Sequence, residues 1–328
     1  MIPQRDFSLI SNRLLKELGG RRVPEQTIEL DYALGWFLCE MSFHSIAESL
    51  AFKGGTALRR CHFGEYRFSE DLDFTLLTEQ LTFEQIKKAF EEIAASVKVK
   101  TGMDFGFSRE DSQSHQNSHT FYMAFTGPMR ARREFKVDIT KREVITADLD
   151  ELNIIHTYPE FDFPEHKKLK VYSIDEIATE KIVALTDPKR NQPRDLFDIW
   201  TLVEDRDLEL AMLAPAIAQK LRFRDRTADG LSQAFDKKEK LLKATWNNRL
   251  NAQMTKTPEF ETVFREVRQS FRDATLFDAT AAALSRLPKK LPAELDDRKI
   301  GGASIALIYS PQTGKHPMSV EVGFPFLS

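Results

Sequence analysis

KGGTALRRCHFGEYRFSEDLDF, residues 53–74, sets a glycine pair ahead of two aspartates spaced two apart, and the fold turns on how it is read. The segment that follows on from it, DLDFTLL at 71–77, alternates polar and apolar like a half-buried strand. A strand has a side-chain period of two, so Asp71 and Asp73 leave one face while Leu72, Phe74 and Leu76 enter a core. Neighbouring carboxylates repel. Either they form a solvated polar sheet edge, or a divalent cation holds them, as Mg²⁺ does when it shares carboxylates with substrate phosphates. Upstream, Lys53-Gly54-Gly55-Thr56 precedes a helix expected from Ala57 onward. Small residues let the backbone approach a phosphate, N–H groups at a helix start favour anions, and the Thr56 hydroxyl adds a hydrogen bond.

Downstream, two further strands are expected, at 120–126 and in EFKVDIT at 134–140. The second places Asp138 opposite Phe135, Val137 and Ile139. If it neighbours 71–77, three carboxylates converge, enough to hold two ions for an in-line displacement at phosphorus. DSQSHQNSH, 111–119, reads as loop and carries His115 and His119. Thr82 with Gln85 has the form of a capping box before Phe83, Ile86, Phe90 and Ile93. Residues 7–52 have helical spacing, with Leu30, Leu34, Phe37, Leu38 and Met41 on one face.

From Ser173 the pattern is helical. Ser173 and Glu176 suggest a second capping box, which opens SIDEIATEKIVAL at 173–185. Ile177, Lys181 and Leu185 share a face there; the lysine either snorkels at the core edge or reaches a phosphate in a cleft. DPKRNQPR punctuates the chain before RDLFDIW at 194–200. Asp195 and Asp198 share a face of that helix. They either answer its N-terminal dipole, or pair with Lys181 or act as a base on a hydroxyl. Several helices follow through 285 with Trp246 as core anchor; 287–302 reads as a linker, and 303–324 as a hairpin or tail. The expected division is 1–170 mixed α/β, 171–285 helical and 286–328 linker with C-terminal tail.

The 328 residues carry 47 Lys+Arg and 50 Asp+Glu, a net charge of −3, so any nucleic-acid contact relies on local patches. Two such stretches are 128–142 (Arg130, Arg132, Arg133, Lys136, Lys141, Arg142) and 220–249 (Lys220, Arg222, Arg224, Arg226, Lys237, Lys238, Lys240, Lys243, Arg249). Each either tracks phosphates or forms an ordinary solvated face. No apolar run approaches the roughly 20 residues of a membrane helix, and the start lacks a signal-peptide core. Cys39 and Cys61 read as buried thiols in a reducing compartment, which makes the cytoplasm the expected location.

Taken in order, KGGTAL, R-x-S-x-DLDF (Arg67 to Phe74), E-x-x-x-EK (Glu176 to Lys181) and RDLFDI resemble the AbiEii/AbiGii toxin family. That family includes the MenT-like toxins of the polymerase-beta-like nucleotidyltransferase superfamily, and the resemblance spans about residues 1–270. It implies an α+β bilobed nucleotidyltransferase fold, with an N-terminal mixed β-sheet flanked by helices and a C-terminal helical bundle. The implied activity is Mg²⁺-dependent transfer of a nucleoside monophosphate from an NTP. The implied acceptor is the 3′ end of tRNA, whose modification blocks translation. A neighbouring-gene AbiEi-type antitoxin and a role in abortive phage infection are implied as well. By resemblance, Gly54, Gly55 and Thr56, with Lys53, bind phosphate; Asp71 and Asp73 bind metal; Lys181 and Asp195 are catalytic; and Asp198 completes a K-D-x-x-D pattern whose first position is Arg194 here. Ser69 matches a phosphate-contacting or modifiable serine, and Asp138 the superfamily's third carboxylate. Three rivals stand beside this reading: a nucleotidyltransferase acting on a protein or small molecule, a kinase-like enzyme, and a GTP-binding protein without tRNA activity.

Overall fold

The computed structural model describes residues 1–78, 81–111, 117–206 and 208–288. Helices α1 (Gln4–Leu18) and α2 (Glu25–Met41) precede β1 (Leu50–Lys53), the short α3 (Gly54–Ala57) and β2 (Leu72–Leu76). Then come α4 (Phe83–Thr101), β3 (Asp104–Glu110), β4 (Ser118–Thr126), β5 (Arg132–Thr140), β6 (Leu149–Leu152) and β7 (Leu169–Tyr172). The strands form one mixed seven-stranded sheet in the order β3-β4-β5-β2-β1-β7-β6. After β7 the chain is helical: α5 (Ile174–Leu185), α6 (Pro193–Arg206), α7 (Ala214–Phe223), α8 (Leu231–Asp236), α9 (Glu239–Leu250), α10 (Phe260–Asp273) and α11 (Leu276–Arg286).

The apolar positions of the strands build the core. Phe74, Phe121, Phe135, Val137 and Ile139 are buried and meet Phe37 of α2 and Phe90 of α4. The opposite strand face carries the charged residues, and α5 and α6 stand across a cavity from it. Trp246 is buried against Phe260 in the helical part, where Phe235 and Phe264 stack 4.9 Å apart.

Four strands escaped the sequence reading. β1 is a buried LAFK without alternation; β6 and β7 have four residues each, too few to show a period; β3 has a glycine, Gly106, as its third residue. His119 is not in a loop but on β4, packed 5.3 Å from the Phe83 ring; His115 lies outside the described residues, as do the expected linker and tail beyond 288. The Thr82 box closes in both directions. That at Ser173 forms only by half: Ser173 accepts from the Glu176 N–H, but the Glu176 carboxylate turns instead to the Thr146 and Ala147 amides and to Lys220.

Candidate active site

The sheet register builds the site. Lys53 of β1, Asp73 of β2, Asp138 of β5 and Thr120 of β4 stand opposite one another across four adjacent strands, so their side chains share one face. Asp71 lies one residue before β2, with Arg194 Nη2 3.5 Å from its Oδ2. Lys53 Nζ donates to Thr140 Oγ1 at 3.1 Å and lies 3.3 Å from Glu180 Oε1. Lys136, two residues before Asp138 and hence on its face, is 3.4 Å from Asp138 Oδ2.

Gly54 is required at the start of α3 for two reasons. Its φ of +79° lies in the left-handed region, and a Cβ there would come within 2.5 Å of Asp73 Oδ2. At Gly55 a Cβ would meet Arg67 Nη2 at 2.6 Å and Ser69 Oγ at 3.1 Å. The glycine pair thus lets the helix start press against the aspartate strand and the loop before it. Thr56 is placed differently from the phosphate contact expected of it. It is 1% exposed, off the cavity wall, and its hydroxyl donates to the Asp71 carbonyl. It fastens α3 to the strand that carries the carboxylates.

On the helical side, Lys181 Nζ lies 2.9 Å from Asp195 Oδ1 and 2.6 Å from Asp198 Oδ2. Asp198 is fully buried and gripped from behind by Arg67, whose Nε and Nη2 are each 2.6 Å from a carboxylate oxygen, and by the Tyr66 hydroxyl at 2.9 Å. Burial alone would raise its carboxyl, but the Arg67 and Lys181 charges overcome that and hold it far below the usual carboxylate range. It lies off the cavity wall and positions Lys181, whereas Asp195 lines the wall. Burial lowers Lys181, yet Asp195 and Asp198 prevail and keep it an ammonium.

All of these except Thr56, Tyr66, Thr120 and Asp198 line one cavity of about 770 Å³, within the size range of ligand sites. Its chemistry is uneven. Burial first, then the charges of Asp71 and Asp138, push the Asp73 carboxyl up to about 6, against the opposing pull of Lys53 and Lys136. The three neighbouring carboxylates and the oxygen-only donor set suit a hard divalent ion. Among the described residues, however, no three His, Cys, Asp or Glu side chains form a ready cage for a metal. The residues fit an ion held by one or two carboxylates and completed by substrate phosphates better than a closed three-carboxylate site.

Sequence reasoning missed a second charge network, which runs from the cavity wall into the interior beneath it. Glu180 faces Lys53, Lys220 and Arg224; Lys220, with no exposure, lies 2.6 Å from Glu176; Arg224 is 2.6 Å from Glu143. Glu180 was visible only as the residue before Lys181, and nothing local marks Lys220. Of the nine basic residues in the 220–249 stretch, four are thus turned inward, while Lys237, Lys240, Lys243 and Arg249 stay exposed. Lys220 and Arg224 serve these carboxylates, Lys238 donates to the Asp187 and Arg190 carbonyls, and Arg226 to those of Val183 and Thr186. Among the described residues, no helix is long and apolar enough to cross a membrane.

A family model described as "Nucleotidyl transferase AbiEii toxin, Type IV TA system" matches residues 36–274, a span that contains every residue named in the site. Among solved structures the chain is similar to MenT4, a nucleotidyltransferase toxin from Mycobacterium tuberculosis. The TM-score is 0.56 and the identity 20%, over 84% of this chain and 93% of that one, a likeness of fold. No match is found among proteins of curated function.

Proposed function

This chain belongs to the AbiEii nucleotidyl transferase toxin family, and from that premise we propose that it moves a nucleoside monophosphate from an NTP onto the 3′ end of an RNA, with tRNA as the acceptor. It is a nucleotidyltransferase and a toxin by family, and the family implies an NTP substrate and an antitoxin partner. The reading adds Mg²⁺ dependence, an AbiEi-type antitoxin encoded beside it, a role in phage defence and action in the cytoplasm. The observation that carries it is the convergence of Gly54, Asp71, Asp73, Asp138 and Lys181 on one cavity.

Asp71 and Asp73 would hold the ion, which supplies positive charge to the triphosphate. Lys53, Lys136 and Arg194, all on the cavity wall, bring further positive charge toward the phosphates. Lys181, kept charged by Asp195 and fixed by Asp198, stabilises charge that develops as the α–β phosphoanhydride breaks. Asp138 is the more open carboxylate, with its side chain 31% exposed against 13% for Asp195, and it accepts the proton of the acceptor hydroxyl. The hydroxyl oxygen bonds to the α-phosphorus in line, the bridging P–O bond breaks, and pyrophosphate departs with its electron pair.

The test is incubation of the full chain with α- or γ-labelled NTPs and either total tRNA or cell protein, with and without chelator. Label from the α-position at tRNA 3′ ends, abolished by Asp73→Ala and by chelator, is the expected result. Transfer of the γ-label, or label in protein alone, overturns the reading in favour of a kinase-like or protein-modifying enzyme.

A further inference from the structure

The wall of the catalytic cavity is charged or polar nearly throughout; among the described residues, apart from the glycines, the apolar ones on it are Ile177, Ala184 and Phe223. Ile177 and Ala184 are 2% and 4% exposed and belong to the packing of α5. Phe223, the last residue of α7, is different. Its side chain is part exposed and lies outside the hydrophobic core. Among the described residues it has no aromatic or cationic partner over its ring. Its neighbours are turned elsewhere, Arg222 to the Leu284 carbonyl and Arg224 to Glu143. Other phenylalanines of the helical part, such as Phe235, Phe264 and Phe271, pack ring to ring inside the core.

A bare ring in a cavity built for anions gains nothing from a triphosphate. It gains from a flat, apolar-faced group, and base-on-aromatic stacking is tolerant of which base is offered. A second feature of the same wall agrees. Gln192 lines the cavity, and its Oε1 is buried without a hydrogen-bond partner among the described residues. A buried amide oxygen left unpaired is costly, and a turn of the Gln192 amide into the cavity would let a base-edge N–H satisfy it.

We propose that Phe223 is the stacking platform for the nucleobase of the NTP, with Gln192 meeting the base edge. This rests on the nucleotidyltransferase reading and adds the nucleobase subsite to it. Phosphate recognition by the glycine turn and the cations is then independent of Phe223, while affinity that depends on the base runs through it.

The experiment titrates the full chain calorimetrically with Mg²⁺ and α,β-methylene analogues of ATP, GTP, CTP and UTP, and separately with inorganic tripolyphosphate, which has no base. For Phe223→Ala the best-bound analogue is expected to weaken about tenfold, while tripolyphosphate binding and melting temperature stay at the wild-type value. Phe223→Trp should stay within about threefold of wild type, because it keeps a stacking face. Gln192→Ala is expected to narrow the spread among the four analogues. Unchanged nucleotide affinity in Phe223→Ala, or an equal loss for nucleotide and tripolyphosphate, overturns the assignment and leaves the enzyme reading standing. A wild type that binds none of the four analogues and transfers no α-label sinks both.

Discussion

Two clusters of charge meet at the cavity, and they are built on opposite terms. On the strands, Asp71, Asp73 and Asp138 are set together with incomplete compensation, and Asp73 is pushed up to about 6, by burial first and then by its two acidic neighbours. On the helices, Asp198 has its oxygens satisfied by Arg67, Lys181 and Tyr66, and its carboxyl is held far below the usual range. The balanced cluster asks for nothing further, so it acts as scaffold. The unbalanced one is strained until positive charge arrives, as expected of the cation-binding site proposed above. The contrast says where the protein spends stability and where it stores it.

The largest expected effect comes from breaking the balanced cluster. Asp198→Asn leaves the Arg67 charge buried with a neutral partner and Lys181 with Asp195 alone, and removing one member of a buried pair costs about 3–5 kcal/mol. Urea denaturation at pH 7 measures it. The folded-state value of Asp198 is depressed, so its contribution is full above the unfolded value near 3.9 and fades as pH falls below that. The gap between wild type and Asp198→Asn should therefore narrow in acid. Equal stability at neutral pH would show that the cluster is not a scaffold.

The unbalanced cluster should answer with the opposite sign. The folded-state value of Asp73 is raised from 3.8 to about 6, so the native state holds its proton more tightly than the unfolded chain does. Stability then declines as pH rises through that window and is flat above it. In chelator, Asp73→Asn removes the penalty. It is expected to be more stable than wild type at pH 8 by up to about 3 kcal/mol, with the advantage gone near pH 4, and inactive at either. A destabilised Asp73→Asn at pH 8 would mean that the carboxylates are already compensated.

This division explains what could be read from the chain. The D-x-D pair, the strand bearing Asp138 and the shared helix faces of Ile177 with Lys181 and of Asp195 with Asp198 follow from periods of two and of three to four residues, which local sequence displays. The family motifs also fixed the order of the parts, and the matched span of 36–274 contains them. Partners joined by long-range packing were not legible. Arg67 grips Asp198 across 131 positions and Lys220 reaches the Val144 carbonyl across 76, and no local pattern announces either. Strands of four residues failed for the simpler reason that two side chains per face make no period.

The smallest effect separates two roles for one hydroxyl. Spacing suggested that Thr56 touches phosphate, whereas the structure gives its proton to the Asp71 carbonyl in a buried setting. Thr56→Val keeps the shape and removes the donor, which should cost about 1 kcal/mol and lower the melting temperature by a few degrees, with Thr56→Ser close to wild type. The loss would fall on kcat, through the aspartate strand whose entry the hydroxyl fixes, and leave the KM for NTP within about twofold. A phosphate contact makes the reverse forecast: an unchanged melting temperature and a KM raised about tenfold, since a hydrogen bond to a charged group is the stronger kind. The two outcomes do not overlap, because a hydroxyl already donating to a carbonyl has no second proton for a phosphate.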